Sequence, residues 1–187
     1  MAAPYSNLDD KLARAVAAYL ISVGLGNVNN IVSFLSNQPR EMPGDGLVTI
    51  HCGDGVEEWL GTGNYRFPVT VELKFPAITP AEASATQQRD QEIAARQRQA
   101  AINDKLLLSD DEHTLAYTSA QITAAGRALA VSDGTTEGAA AALANADMVN
   151  FTCIWWQAGG FSMPAQQPDN FVSKARFEAI ACAANID

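Results

Sequence analysis

Hydrophobic and polar residues alternate through the middle of the chain, from Tyr65 to Phe75. A period of two places successive side chains on opposite faces of a strand, so the segment predicts a strand with one buried face and one face in water or at a contact. The preceding residues 61–64, GTGN, predict a hairpin turn, because glycine reaches positive φ without steric cost. Pro68 lacks an N–H for a ladder, which predicts an edge or a bulge there.

Other segments of the chain show strand-like patterns as well. Residues 47–52 alternate, residues 55–60 predict a second short strand, and the β-branched and aromatic residues 148–158 predict another. Residues 159–170 contain two glycines and two prolines and are expected to form a loop. Residues 171–183 are expected to form a closing strand, with a helix as the alternative because alanine favours helices. The expected core positions are Val48, Ile50, Phe67, Val69, Val71, Leu73, Phe75 and Phe177.

Two helices are predicted from helical spacing and capping residues. The first has an apolar face and is expected to be capped by Asn7 and to end at Gly24 and Gly26. Its expected apolar face consists of Leu8, Leu12, Val16, Tyr19 and Val23. The second is expected to start with a capping box at Thr79–Glu82 and to run to about Leu107. Its expected apolar stripe is Ile93, Ala100 and Leu107. Between the first helix and the strand at 47–52, Ile31 and Val32 are expected in a helical turn or an irregular segment.

The resulting order, α-β-β-β-α-β, predicts the α+β class, with an antiparallel sheet and helices packed on one face. The chain of 187 residues is expected to form a single domain over 1–187. An insertion around 109–170 is expected to hold an extra hairpin or loop near the C-terminus, and a further helix could start at Ser109.

Amino-acid composition, net charge and cysteine count disfavour some classes of function. Hydrophobic residues make up 48% and charged residues 18%, which is typical of a folded domain. Twelve basic residues against 21 acidic ones give a formal charge of -9, which disfavours gripping nucleic acid or an anionic membrane. The three cysteines, Cys52, Cys153 and Cys182, are far apart and odd in number, which favours free thiols in a reducing compartment.

The sequence contains few candidates for a catalytic or metal-binding motif. His51 and Cys52 are neighbours in a strand, so they point to opposite faces and cannot converge on one ion. The glycines and acids of residues 53–64 match no EF-hand, P-loop or dinucleotide spacing. No catalytic residue, metal ligand or cofactor is therefore predicted. The alternative, a small enzyme or ligand-binding α+β domain, would require His51, Asp54, Glu57 and Glu58 to line one pocket.

The neighbouring tryptophans at 155–156 fall on opposite faces of their predicted strand. One of them can enter the core, and the other needs cover from the following loop or from another subunit. Aromatic residues and methionine are enriched at the centres of interfaces. The candidate subunit-interface residues are Trp155, Trp156, Phe161, Met163, Tyr65, Arg66 and Pro68.

These segments together resemble a known family. A helix LDDKLARAVAAYL leads to the strand LVTIHC and the hairpin EEWLGTGNYRFPVTVELKFPA, followed by a helix containing RDQEIAARQRQ and a final strand ARFEAIACA. This pattern resembles the tail terminator (tail completion) proteins of long-tailed bacteriophages, over about residues 8–107 and 172–184. GTGNYRFPVTV is the most specific part, and residues 109–170 depart from the pattern.

The resemblance implies a structural virion protein without enzymatic activity or cofactor, assembled in the host cytoplasm and placed at the tail and neck. Its copies would form a homo-oligomeric ring, a hexamer, that caps the tail tube and joins it to the neck or head-closure connector. Its partners would be further copies of itself, the tail tube protein and the connector protein, with no membrane. Genomic DNA would only pass through the lumen, and a negative lumen would let it slide.

Three alternatives remain beside this interpretation. Another head-tail connector, head-closure or tail tube component would be favoured if residues 132–147 fold only on assembly. The ligand-binding or enzymatic domain described above is an alternative of a different class. A host-directed interaction protein with an acidic surface is also compatible with the charge.

Overall fold

The computed structural model describes residues 8–27, 30–32, 42–57, 64–77, 84–107, 151–161, 165–166 and 170–183. Within these ranges the chain forms two helices and a seven-stranded sheet. The elements are α1 (Leu8–Ser22), β1 (Ile31–Val32), β2 (Leu47–Cys52), β3 (Val56–Glu57), β4 (Asn64–Pro76), α2 (Ala85–Leu107), β5 (Phe151–Phe161), β6 (Ala165–Gln166) and β7 (Asn170–Ala183). The predicted α+β class and the order α-β-β-β-α-β, formed by α1, β2, β3, β4, α2 and β7, are confirmed.

The sheet is built around one long antiparallel pair, β4 and β7. Their ladder runs without interruption from Asn64 opposite Cys182 to Pro76 opposite Asn170. The strand order is β1-β2-β4-β7-β5, with β3 beside β4 and β6 beside β7. The closing segment is thus a strand, and its helical alternative is wrong. An edge or a bulge was expected at Pro68. The position is not an edge, because Pro68 lies opposite Glu178 in the continuous β4–β7 ladder, and on the other side of β4 its carbonyl accepts from the Gly53 N–H, between β2 and β3.

One strand differs from the expectation of a purely antiparallel sheet. Ile31 and Val32 form β1, which pairs in parallel with Val48 and Thr49 of β2. The expectation of a helical turn or irregular segment was therefore wrong. A two-residue strand is too short to show periodicity, and its place is fixed by pairing with a distant strand rather than by its own pattern.

Strand β5 also departs from the expected element boundaries. It continues through Gly159 and Gly160 to Phe161, where a loop was expected, and it pairs with β7 in the main sheet. The register shifts between Ala158 and Gly160, which is the kind of irregularity that glycine accommodates inside a strand. Residues 108–150, which contain most of the expected insertion, lie outside the described residues.

Helix α1 ends where its glycine predicts. Gly24 has a φ of 79°, and its N–H donates to the Ile21 carbonyl while the Leu25 N–H donates to the Leu20 carbonyl. This pair of bonds is the Schellman motif, which satisfies carbonyls that the helix leaves open. Expected face residues Leu12, Val16 and Tyr19 are buried and Val23 is partly buried, whereas the cap Asn7 and the side chain of Leu8 are outside the described part.

Helix α2 starts later than its sequence suggested. Ser84 Oγ accepts a hydrogen bond from the Gln87 N–H at 3.3 Å, and the Ser84 N–H donates to Gln87 Oε1 at 2.9 Å. These reciprocal bonds form a capping box, so the helix begins at Ala85 rather than next to Thr79, which lies outside the described residues.

The expected apolar stripe of α2 was wrong. Ile93 is 41% exposed and Ala100 is also exposed, while the side chain of Leu107 is not described. The buried stripe consists of Ala95, Gln99, Ile102 and Leu106. It includes a polar residue because the Gln99 amide accepts a bond from Ser173 of β7 and donates one to Asn103.

The main core lies between the two helices and one face of the sheet. Residues of α1 and α2 share one buried cluster with the inward positions of β2, β4 and β7. The eight expected core positions are all buried, with Phe75 the most exposed at 9%. A hydrogen bond links the two helices, because the Tyr19 hydroxyl of α1 donates to the Lys105 carbonyl of α2 at 3.1 Å. Both helices therefore occupy one face and leave the charged side chains of β4 and β7 on the other.

Candidate functional site: the outer face of the sheet

We define the outer face as the even-numbered residues from Arg66 to Lys74 in β4 and from Val172 to Ile180 in β7. The odd-numbered residues from Phe67 to Phe75 and from Phe171 to Ala179 are buried on the helix side, and the register pairs even with even across the ladder. The outer face is therefore the side that the helices leave open. It follows directly from the period of two in both strands.

Glu72 lies at the centre of the outer face between two lysines. Its carboxylate is 2.7 Å from Lys174 Nζ, across the ladder, and 3.3 Å from Lys74 Nζ, two residues along its own strand. The Glu72 side chain is only 13% exposed. Burial alone would raise the pKa of Glu72, but the hydrogen bonds and charges of Lys174 and Lys74 outweigh it and hold the pKa below its ordinary value. Glu72 therefore stays ionised at neutral pH.

A second ion pair lies further along the ladder. Arg66 Nη1 is 3.1 Å from Glu178 Oε2, and both side chains are nearly half exposed. The contact is diagonal, because Arg66 is opposite Ile180 whereas Glu178 is opposite Pro68. Exposed pairs of this kind contribute about 0–1 kcal/mol to stability, so their main effect is on the charge of the surface.

Arg176 lies between these two groups, opposite Thr70. It is exposed and forms no ion pair with any residue in the described part of the chain. The outer face thus carries four cations, Arg66, Lys74, Lys174 and Arg176, against two carboxylates, Glu72 and Glu178. Its formal charge is +2 in a chain of formal charge -9, which leaves -11 elsewhere.

On the side of the sheet that carries the outer face, two residues of β2 are buried. Leu47 and Thr49 share the side of their register partners Lys74 and Glu72, yet they are 3% and 1% exposed. The Thr49 hydroxyl is buried and has no hydrogen-bond partner. Of β2, β4 and β7, only β4 and β7 therefore present exposed side chains on this side in the described part of the chain.

The sequence-predicted interface residues do not all reach one surface. Arg66 and Pro68 are exposed on the outer face. Tyr65 lies on the helix-covered face, packed at the edge of the core with its ring 6.5 Å from Phe67. It therefore shares no surface with Arg66 and Pro68.

The pairing of β5 with β7 gives the positions of three further interface candidates, Trp155, Trp156 and Phe161. Trp155 is opposite Ile180, Trp156 is opposite Ala179, and Phe161 is opposite Ala175. The two tryptophan positions thus alternate between the outer and the helix-covered side of the sheet. Met163 lies outside the described residues.

Five charged residues of the outer face were missed as site residues: Glu72, Lys74, Lys174, Arg176 and Glu178. Their alternation with apolar neighbours marks them in the sequence as members of one strand face. What brings them together is the β4–β7 register, which joins residues about a hundred positions apart.

The residues of the ligand-binding alternative are only partly described. His51 is opposite Thr70 and Cys52 is opposite Val69, so the two lie on opposite faces as expected. Asp54 is exposed, while the side chain of Glu57 and all of Glu58 are outside the described part. In the ranges given above, no group of three His, Cys, Asp or Glu side chains is arranged to hold a metal ion.

No helix in the described ranges has the length and apolar character needed to cross a membrane. The chain matches no family model, and comparisons with curated proteins and with solved structures gave no match.

Proposed function

We propose that the protein is a structural subunit of a phage virion, a tail terminator whose copies form a ring that caps the tail tube and joins it to the neck. The observation that carries the proposal is the two-faced β4–β7 ladder. One face is used by the helices to build the core, and the other presents ordered charges at its surface. Such a face suits contact with a protein surface better than binding of a small molecule, which requires a concave, mostly apolar site.

The order of elements supports the same proposal. The resemblance implies a helix, a three-stranded unit, a second helix and a closing strand in one compact domain. In this chain α1, β2–β4, α2 and β7 follow that order, and β7 closes the sheet by pairing with β4 along its whole length.

The charge of the outer face decides where it would lie in such a ring. A lumen lined by the cations of this face would attract DNA phosphates and slow the passage of the genome. The expected negative lumen is therefore compatible with this chain only if the outer face is turned away from the channel. In the ring that we propose, acidic surface faces the DNA and the outer face meets protein.

The test is negative-stain electron microscopy of the full-length protein, alone and after incubation with isolated tail tubes of a long-tailed phage. We expect closed rings, and rings at one end of tubes whose length no longer increases when tube protein is added. Tubes that grow equally with and without the protein would contradict the capping role. A protein that stays monomeric and ignores tubes would favour the ligand-binding alternative, for which His51→Ala is the variant to test.

A further inference from the structure

The positive charge of the outer face is concentrated toward one end of the β4–β7 ladder. Arg66 and Glu178 form an ion pair toward the other end and neutralise each other there. The remaining charges are three cations and one carboxylate, so they carry the whole excess of +2. These four residues are neighbours in the register, and we call them the basic cluster: Lys74, Glu72, Lys174 and Arg176.

Arg176 is the cation of the basic cluster that has no carboxylate partner in the described part of the chain. The two lysines both hold Glu72, at 2.7 and 3.3 Å. Arg176 is exposed, and the register places it between Thr70 of β4 and Gly160 of β5. Because glycine has no side chain, β5 adds nothing at this position that would cover the guanidinium. Arg176 can therefore donate its planar fork of N–H groups to an incoming carboxylate.

We propose that Arg176 and Lys174 form a binding site for the carboxylates of an acidic segment in a partner protein. The inference rests on the proposed function, because it takes the partner to be a neighbouring virion protein, and it names the chemistry of that neighbour. Charge complementarity of this kind selects partners and speeds their association.

The spacing of the two cations suits an extended acidic segment. They lie on the same face of β7, two residues apart, which corresponds to about 7 Å along a strand. One carboxylate can lie between them, and an extended segment repeats its own side chains at the same spacing. Lys174 is 48% exposed and its ammonium has three donors, so it can contact a ligand while it holds Glu72. Such charge-assisted bonds are stronger than neutral hydrogen bonds.

A protein carboxylate fits this site better than nucleic acid does. None of the ten outer-face residues is aromatic, so bases have no ring there on which to stack, as they do in many single-strand binding sites. An excess of only +2 neutralises few phosphates, and binding that releases few counterions is weak. Glu72 and Glu178 also oppose a backbone that is charged at every residue, whereas an acidic segment can place neutral side chains beside them.

The experiment measures the dissociation constant of a fluorescein-labelled peptide for the full-length protein by fluorescence anisotropy. The salt is roughly 0.1 M, where the Debye length is about 10 Å. The Glu peptide alternates Glu and Thr, and its control, the Gln peptide, carries Gln in place of every Glu. Arg176→Gln removes the guanidinium, and Arg176→Lys keeps the charge without the fork. Arg89→Gln is the matched control, because Arg89 is exposed on α2 and also has no ion pair within the described ranges.

We expect the wild type to bind the Glu peptide at least about tenfold more tightly than the Gln peptide. Arg176→Gln should weaken binding of the Glu peptide about tenfold, and Arg176→Lys about threefold, because a lysine cannot pair with a carboxylate through two parallel bonds. Arg89→Gln should stay within about twofold of the wild type. All three variants should keep the wild-type urea midpoint, since both arginines are exposed.

The outcomes separate this inference from the proposed function. The inference is wrong if the wild type binds the two peptides equally, or if Arg176→Gln and Arg89→Gln weaken binding of the Glu peptide to the same extent. Either result leaves the proposed function standing when the wild type still forms rings that cap tubes. Binding of the Glu peptide that depends on Arg176, in a protein that forms no rings, would contradict the proposed function and retain the site.

Nucleic acid is the competing occupant, and a fluorescent duplex DNA tests it in the same assay. We expect Arg176→Gln to weaken binding of the Glu peptide more than any binding of the duplex. If Arg176→Gln abolishes binding of the duplex and leaves binding of the Glu peptide unchanged, the occupant is nucleic acid and the inference is overturned.

Discussion

The faces of β4 can be tested by placing the same charge at two consecutive positions. Val71 is 1% exposed and lies between Ile50 and Ala175 in the register. Thr70 is its neighbour on the outer face, opposite Arg176. We expect Val71→Asp to unfold the protein and Thr70→Asp to leave it folded.

The magnitudes differ because only one carboxylate enters the core. Val71→Asp loses about 1.5–3 kcal/mol of apolar burial and adds a penalty of several kcal/mol for an unpaired buried charge. A loss of at least about 4 kcal/mol is a large part of the roughly 5–15 kcal/mol that stabilises a typical domain. Thr70→Asp gains a cross-strand cation and loses some β propensity, so its free energy of unfolding should change by less than about 1 kcal/mol.

The assay is urea denaturation followed by circular dichroism. With about 2 kcal/mol per M of urea, the Val71→Asp midpoint should fall by about 2 M or more, and the Thr70→Asp midpoint by less than about 0.5 M. If Val71→Asp does not fold at all, Val71→Ala provides a measurable version, with an expected loss of about 2 kcal/mol. Equal midpoints for the two Asp variants would refute the assignment of faces.

Three further predictions concern a turn, a helix start and pH. Gly46→Ala should cost about 1–3 kcal/mol, because Gly46 has a φ of 87° and a Cβ would lie 3.0 Å from the Lys74 carbonyl oxygen. Ser84→Ala should cost about 1 kcal/mol through loss of the α2 cap. Because the pKa of Glu72 is lowered in the folded protein, the stability that Glu72 contributes should be present above its ordinary pKa of 4.5 and be lost as pH falls through the folded pKa. Urea titrations measure all three.

Each of these predictions has a matched control. Gly44→Ala, where a Cβ meets nothing within 4 Å, should be nearly neutral, and an equal loss there would remove the steric argument. Ser84→Asp should keep the cap, so a loss as large as that of Ser84→Ala would contradict it. Glu72→Gln should be less stable than the wild type at pH 7, and the difference should shrink as pH falls below 4.5; a difference that stays constant in acid would show that charge is not the cause.

The strands were predictable where their pattern was long. β4 and β7 alternate over more than ten residues, so period and face could be assigned before the register was known. β1 could not be found this way, because Ile31 and Val32 owe their place to pairing with a distant strand. Gly159 and Gly160 were expected in a loop because glycine has weak strand propensity. Pairing of β5 with β7 overrides that propensity.

The stripe of α2 shows the limit of hydropathy as a guide to burial. Gln99 is 6% exposed because Ser173 and Asn103 satisfy its amide. A polar residue in the buried stripe shifts the apparent phase, and the exposed Ile93 shifts it further. Only the packed structure shows that Gln99, and not Ile93, lies on the side of α2 that is turned toward the sheet.

The outer face was predictable as a polar surface but not as a basic one. Arg66 and Glu178 are 112 residues apart in sequence, and they meet only through the β4–β7 register. The total charge of -9 pointed to an acidic protein throughout. The gathering of four cations on this face is a property of the fold, because it depends on the β4–β7 register.

The mass of the purified full-length protein in solution, measured by multi-angle light scattering, tests the ring most directly. The measurement is made at concentrations well above those used in the tube-capping experiment. We expect a species near six times the chain mass of 19.9 kDa, either for the protein alone or after it is mixed with tail tubes and released from them. A mass of one chain, both for the protein alone and for the protein released from tubes, would contradict the ring.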